Sequence, residues 1–252
     1  MLKISKGRLA SVLSIGKEEG FTLIELMVAA ALSLVVMGGI YSVYQSQQKS
    51  YLVREQTTAM QQNLRAGMVV MTSDIRMAGY VHPNIRGLLN PADKLGITEV
   101  NLDADSVKND ESIKFTLLKN KDDDPDITDP DVNKLETIKY YLFDKDGDGD
   151  LDLVKDWEFN GVSNTEQLVA ENIDALDFVY LDKNGAVIAD PPSNLTAIRS
   201  VQVTMIAKTG RGDQGYKNTN SYKNQQNTEI LPAQNDGFRR RKLSREIKCR
   251  NL

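Results

Sequence analysis

The chain has 252 residues, 40% of them hydrophobic, and a formal net charge of −4. That composition supports one core-bearing domain with an extension, or two small domains. An acidic balance argues against nucleic acid as a partner. The charge is unevenly placed: 24 acidic against nine basic residues lie in 101–190, and seven basic against one acidic in 239–250. The single cysteine, Cys249, excludes an intrachain disulfide without excluding an oxidising compartment.

Residues 1–20 are polar and basic, with Lys3, Lys6, Arg8 and Lys17 set against Glu18 and Glu19. The run FTLIELMVAAALSLVVMGGIYSVY, residues 21–44, follows. At ~1.5 Å per residue it is long enough to cross a hydrocarbon core of ~30 Å as a helix. The positive charges before it predict a cytoplasmic N-terminus, with the rest of the chain outside. A secretory signal peptide would be cut after its apolar region, at a site such as Ala29-Ala30-Ala31, but here the apolar run continues through Ile40. Neither a signal peptide nor a simple anchor explains Glu25. A carboxylate inside an apolar span costs roughly 2.5–3.5 kcal/mol on insertion scales and marks function.

The segment KEEGFTLIELMVA resembles the prepilin motif of type IV pilin-like proteins. Gly20 matches the residue before the scissile bond, Phe21 the new N-terminus, and Glu25 the fifth position of the mature chain. The resemblance implies cleavage between Gly20 and Phe21 by prepilin peptidase, N-methylation of Phe21, and a role for Glu25 in assembly. Cutting before the apolar run keeps the anchor on the mature protein. It also creates an α-amine of pKa ~7.7–8.0, a cationic partner for Glu25 when supplied by a neighbouring subunit.

No proline occurs between residues 21 and 82, and Met60, Leu64, Met68, Met71, Ile75 and Ala78 recur at spacings of three and four. This predicts one helix from about 21 to about 78, its second half packed on a globular domain through that stripe. Gly38-Gly39 is its weak point, open to a local melt or bend. His82-Pro83, Asn84 and Asn90-Pro91 then signal loops. Strands are predicted at 112–118, 137–143, 151–157, 175–182 and 198–209, where β-branched and aromatic residues mix with alternation. They suggest an α+β fold, a long N-terminal helix packed on one antiparallel sheet. Residues 119–134 read as an acidic loop, and the Gly-, Asn- and Gln-rich 210–237 as a mobile one. In RKLSREIKC the alternation fits an edge strand with a solvated face, although the basic cluster could also bind DNA or an acidic partner.

One constellation suggests a ligand. In DKDGDGDLD, residues 144–152, Asp144, Asp146 and Asp148 stand at positions 1, 3 and 5 of a calcium loop, with Gly149 at the sharp turn. Asp150 and Asp152 complete the candidate set. The twelfth position is Lys155, where a bidentate Glu is expected, so Asp152, Asp156 or an oxygen from 119–134 would substitute. A solvated acidic turn between two strands is the competing reading. Elsewhere the chemistry is thin. His82 is the only histidine, no phosphate loop or zinc spacing occurs, Arg211-Gly212-Asp213 reads as coincidence, and Cys249 as a small buried apolar residue. No enzymatic activity is expected.

The ordered set DIRMAGY (74–80), TIKYYLFD, the Asp-rich loop, LVAENIDALDFVYLDKNG (168–185), IRSVQVTMIAKT and the basic C-terminus is similar to minor pilins of the PilW type. J-type pseudopilins of type II secretion systems share a related layout. The resemblance implies a cleaved leader (1–20), a transmembrane segment (21–44), an amphipathic continuation of the helix (45–80) and an extracytoplasmic β-rich domain (81–252). It further implies an inner-membrane, single-pass precursor that moves into a pilus beside other minor pilins and the major pilin.

Overall fold

The structure, a computed structural model, describes residues 20–83, 94–101, 111–118, 135–159, 162–189, 192 and 194–252. The leader, the Asn84 and Asn90-Pro91 loop signals and the acidic segment 119–134 therefore lie outside the described residues, apart from Gly20. The chain divides into two compact units, residues 1–51 and 52–252.

Helix α1, Leu23–Arg76, belongs to both units and continues through Gly38-Gly39 without interruption. In the first unit every described residue is exposed. In the second, α1 buries Met60, Leu64, Gly67, Met68, Met71, Thr72 and Ile75 along one stripe. Gly67 was not singled out by periodicity, yet the helix comes close to its neighbours there. A Cβ built there would stand 3.0 Å from the Ala170 Cβ and 3.3 Å from Leu153 Cδ2. The helix ends in a turn at Gly79, where φ is +74°, and a side chain would also meet Leu252 Cδ2 at 2.7 Å. Glycine answers both demands.

The strands are β1 (Gly96–Asn101), β2 (Ser112–Leu118), β3 (Leu135–Phe143), β4 (Asp152–Phe159), β5 (Val162–Ala170), β6 (Ile173–Leu181), β7 (Ser200–Lys208), β8 (Tyr222–Lys223), β9 (Glu229–Leu231) and β10 (Arg240–Lys248). The single sheet expected from the sequence is divided. An antiparallel meander β1-β2-β3-β4-β5 forms one sheet, β10-β7-β6 a second, and β8-β9 a short ribbon. All five predicted strands are present, the first with its predicted bounds and the others displaced by one or two residues at their ends.

Segment 210–237, expected to be mobile, contains β8 and β9 and a dense set of side chain–backbone turns. The Asn224 side chain accepts from the Gln226 and Thr228 amides, and Asn227 and Asn235 adopt positive φ. Asparagine tolerates that region and bonds its own backbone two residues on, so a composition that suggests looseness also builds tight turns.

One core joins the second-unit part of α1 to both large sheets: Met68, Met71 and Ile75 from the helix, Phe115, Tyr140 and Leu153 from the first sheet, and Phe178, Val203 and Ile247 from the second. A polar anchor pins the helix end to the first sheet. Asp74 Oδ2 accepts from the Tyr140 hydroxyl at 2.6 Å and pairs with Lys155 Nζ at 2.7 Å. Burial, with the nearby Asp74 charge, pushes the Tyr140 phenol far above its ordinary pKa.

Candidate functional site

At the N-terminal junction Gly20 is exposed and Phe21 is 91% exposed. The Thr22 amide and hydroxyl both donate to Glu25 Oε2, at 2.9 and 2.8 Å, while the Glu25 amide donates to Thr22 Oγ1 at 3.3 Å. This is a capping box, in which the N-cap hydroxyl and the carboxylate three residues on satisfy amides that the first helical turn leaves free. The motif Thr-x-x-Glu before an apolar run is a sequence signal for it, one that the reading of Glu25 as an assembly residue does not use. The box leaves the Glu25 side chain exposed. Helix α1 is long and apolar enough to cross a membrane by length and composition, and its most apolar stretch buries none of its residues within the protein.

The Asp-rich loop joins β3 to β4. Asp144 accepts from the Gly147 amide at 2.8 Å and the Gly149 amide at 3.1 Å; Asp146 and Asp148 accept from the amides two residues on. Gly149 takes φ +89°, the sharp turn that its position requires. One carboxylate oxygen from each of Asp144, Asp146 and Asp148 falls within 4.8 Å of the others.

Asp150 and Asp152 have different partners. Asp150 pairs with Lys208 Nζ at 2.5 Å. Asp152 accepts from the Asn172 amide at 2.9 Å and the Lys145 amide at 3.4 Å, so it ties the loop to the turn between β5 and β6. Burial raises its pKa, and the charges of Asp146 and Asp148 push the same way. Lys155 is committed to Asp74, and Asp156 accepts from the Tyr141 hydroxyl and the Glu166 amide. The loop thus offers three convergent carboxylates, those of Asp146 and Asp148 exposed and that of Asp144 half-buried, and two that fasten it to the fold.

The remaining sequence candidates fall into structural roles. Cys249 is buried, and burial pushes its thiol up to about 11. Asp213 of the Arg211-Gly212-Asp213 triplet is paired with Arg239 at 2.9 Å. The basic C-terminal segment forms β10, paired only with β7 among the described strands. Its Arg240 is folded inward, bonded to Asp174 at 2.5 Å and to Asp236 at 2.6 and 2.7 Å. Sequence pattern could not separate Arg240 from Arg241 beside it; sheet register decides which of the two turns inward.

The profile described as "Prokaryotic N-terminal methylation motif" matches residues 15–41. The chain therefore carries a prepilin-type methylation motif at the junction just described. The structure is similar to that of a type IV-like pilin from Thermus thermophilus, with a TM-score of 0.48 and 14% sequence identity, covering 76% of this chain and 97% of that one. No curated protein matches the sequence.

Proposed function

We propose that the protein is a type IV pilin-like filament subunit. In this reading it is made as a prepilin in the inner membrane, cut between Gly20 and Phe21 by prepilin peptidase, methylated at Phe21, and drawn into a filament with its 81–252 domain outside the cell. The observation that carries the proposal is the methylation motif at 15–41, seated on the first turns of helix α1, whose most apolar stretch the fold leaves unburied. A soluble protein does not maintain such a helix, and a simple anchor has no use for Glu25. The exposed carboxylate of Glu25 suits a pairing with the Phe21 amine of an adjacent subunit. Such a pair lowers the cost of two charges in hydrocarbon and sets the axial register.

Among pilins, the ordered downstream motifs favour a minor pilin of the PilW type, which helps initiate or cap the pilus beside other minor pilins and the major pilin. A J-type pseudopilin of a secretion system is the alternative; the content of the surrounding operon separates the two. The test of the central reading is the mass of the N-terminal peptide in cells with prepilin peptidase. A methylated Phe21 N-terminus is expected, and Gly20→Val should leave the precursor uncut. An intact leader in the wild type, or a cut after Ala31, overturns the reading.

A second element of the proposal is calcium at Asp144, Asp146 and Asp148, as in a calcium-dependent surface pilin. The three convergent oxygens support it. They supply half or less of the 6–8 oxygens that calcium usually takes, so water would complete the shell and affinity would be modest, about 10⁻⁴–10⁻³ M. Millimolar calcium should raise the melting temperature more than magnesium does, and Asp146→Ala should abolish the rise. Equal shifts with the two ions reduce the loop to an acidic turn.

A further inference from the structure

A cleft of about 580 Å³ opens beside the last turns of α1, strand β10 and the C-terminal residues. Three guanidinium groups line it: Arg76 from the last turn of α1, Arg245 from β10 and Arg250 just beyond that strand. No acidic residue is among its described lining, and none of the three arginines has an ion-pair partner among the described residues. The start of β10 is treated differently. There Arg239 is paired with Asp213, and Arg240 with Asp174 and Asp236. The fold neutralises Arg239 and Arg240 and leaves the three arginines of the cleft without counter-charge among the described residues.

A second observation falls in the same cleft. Elsewhere on α1 the hydroxyls of Ser33, Thr57 and Thr58 donate to the carbonyl four residues back, at 2.7, 2.7 and 2.8 Å. That is the usual resolution for a hydroxyl inside a helix. Thr72 lines the cleft and is 3% exposed, yet its hydroxyl has no partner among the described residues. The three cations and the residue with the unpartnered hydroxyl line the same cleft.

We propose that this cleft receives a carboxylate-bearing segment of a neighbouring filament subunit, an inference that rests on the filament reading above. Arginine forks bind carboxylate oxygens in pairs, and an acceptor that reaches the floor also serves Thr72. The choice of a peptide over a free inorganic anion comes from size and lining. The cleft is far larger than one phosphate, and Val69, Met77 and Tyr80 give it an apolar wall beside the arginines. An acidic side chain flanked by apolar residues fills both parts; a small anion leaves the wall wet.

The test uses the full chain in detergent micelles and a fluorescent peptide alternating glutamate with leucine, with a glutamine-for-glutamate twin as its control. The acidic peptide should bind, and its twin more weakly by roughly tenfold or more. Arg76→Gln combined with Arg245→Gln should weaken the acidic peptide by a similar factor, with an unchanged melting temperature. Arg211→Gln combined with Lys183→Gln, which removes the same charge from exposed positions elsewhere, should leave binding unaltered. Equal loss in the two variants, equal affinity for the two peptides, or displacement by equimolar inorganic phosphate overturns the proposal. The N-terminal mass of the same preparation separates the two inferences. A methylated Phe21 with no peptide binding removes the cleft assignment alone; binding by a chain whose leader stays intact removes the filament partner.

Discussion

Between Leu23 and Tyr44 helix α1 turns apolar side chains to every side and buries none of them; between Leu52 and Arg76 it buries one stripe and leaves the rest to water. Backbone geometry is the same throughout, so the difference lies wholly in how apolar residues are distributed around the axis. An all-round apolar helix calls for a surrounding that is itself apolar, lipid or other helices. A striped helix calls for a core on one side only. Proline-free sequence lets the two designs share one helix.

Four measurements test this contrast. The largest effect is expected at Glu25, the one acidic or basic side chain in the 21–44 span. Glu25→Val should leave processing and membrane insertion intact and remove the subunit from sheared filaments. Undiminished recovery in those filaments would show that the first half of the helix needs no charge to find its neighbours.

Next come matched truncations in the two halves. Ile75→Ala empties a fully buried site and should cost about 2–5 kcal/mol, lowering the melting temperature by about 4–20 °C. Val35→Ala, in the exposed half, should leave that transition where it was. Equal shifts would mean that the halves are not energetically separate.

The Asp74 anchor should matter less than the core. Asp74→Ala strips the buried Tyr140 hydroxyl of its acceptor and Lys155 of its counter-charge, at a cost of about 1–3 kcal/mol. A melting temperature within a degree or so of wild type would assign the helix-to-sheet attachment to apolar packing alone.

Acid should give the smallest effect. The hydrogen bond from Arg240 holds the Asp236 carboxyl below its ordinary pKa. A carboxylate depressed in this way contributes stability above its unfolded pKa of about 4, and the contribution is lost as pH falls through the lowered value. Asp152, whose pKa burial raises, acts in the opposite sense, so the reading is the difference between Asp236→Asn and wild type. The variant should lose less stability on acidification from pH 5 to pH 3. Parallel curves would leave the Arg240 cluster without a role in acid stability.

The strands missed in the sequence share a cause. In β5, VSNTEQLVA, the first four residues are exposed and only Ala170 is buried. As the edge of its sheet it is held by its ladder with β4, and without a buried face it has no period-2 signal to read. The residues of β1 lack alternation for a comparable reason: GITEVN is short, starts at a glycine of φ +99° and bulges between Ile97 and Glu99. By contrast β3 alternates cleanly, burying Glu136, Ile138, Tyr140 and Leu142 on one face, and was legible. Among the candidate ligands, Asp144, Asp146 and Asp148 could be grouped by spacing because a coiling loop brings alternate residues together. Asp150 and Asp152 looked equivalent, but their partners, Lys208 and the Asn172 amide, lie 58 and 20 residues away.

By itself, then, the sequence determined what depends on neighbours along the chain. It set the methylation motif at the junction, the unbroken helix with its two distributions of apolar residues, the α+β class and the coil of the Asp-rich loop. Each follows from covalent spacing and from periods of two or 3.6 residues. Tertiary structure decided what depends on neighbours across it. It divided the strands into two sheets and a ribbon, gave Gly67 and Gly79 their close approaches, and turned Arg240 inward while leaving Arg76, Arg245 and Arg250 around one cleft. Burial and charge pairing are set by residues tens to hundreds of positions apart, and no local pattern records which of them will meet.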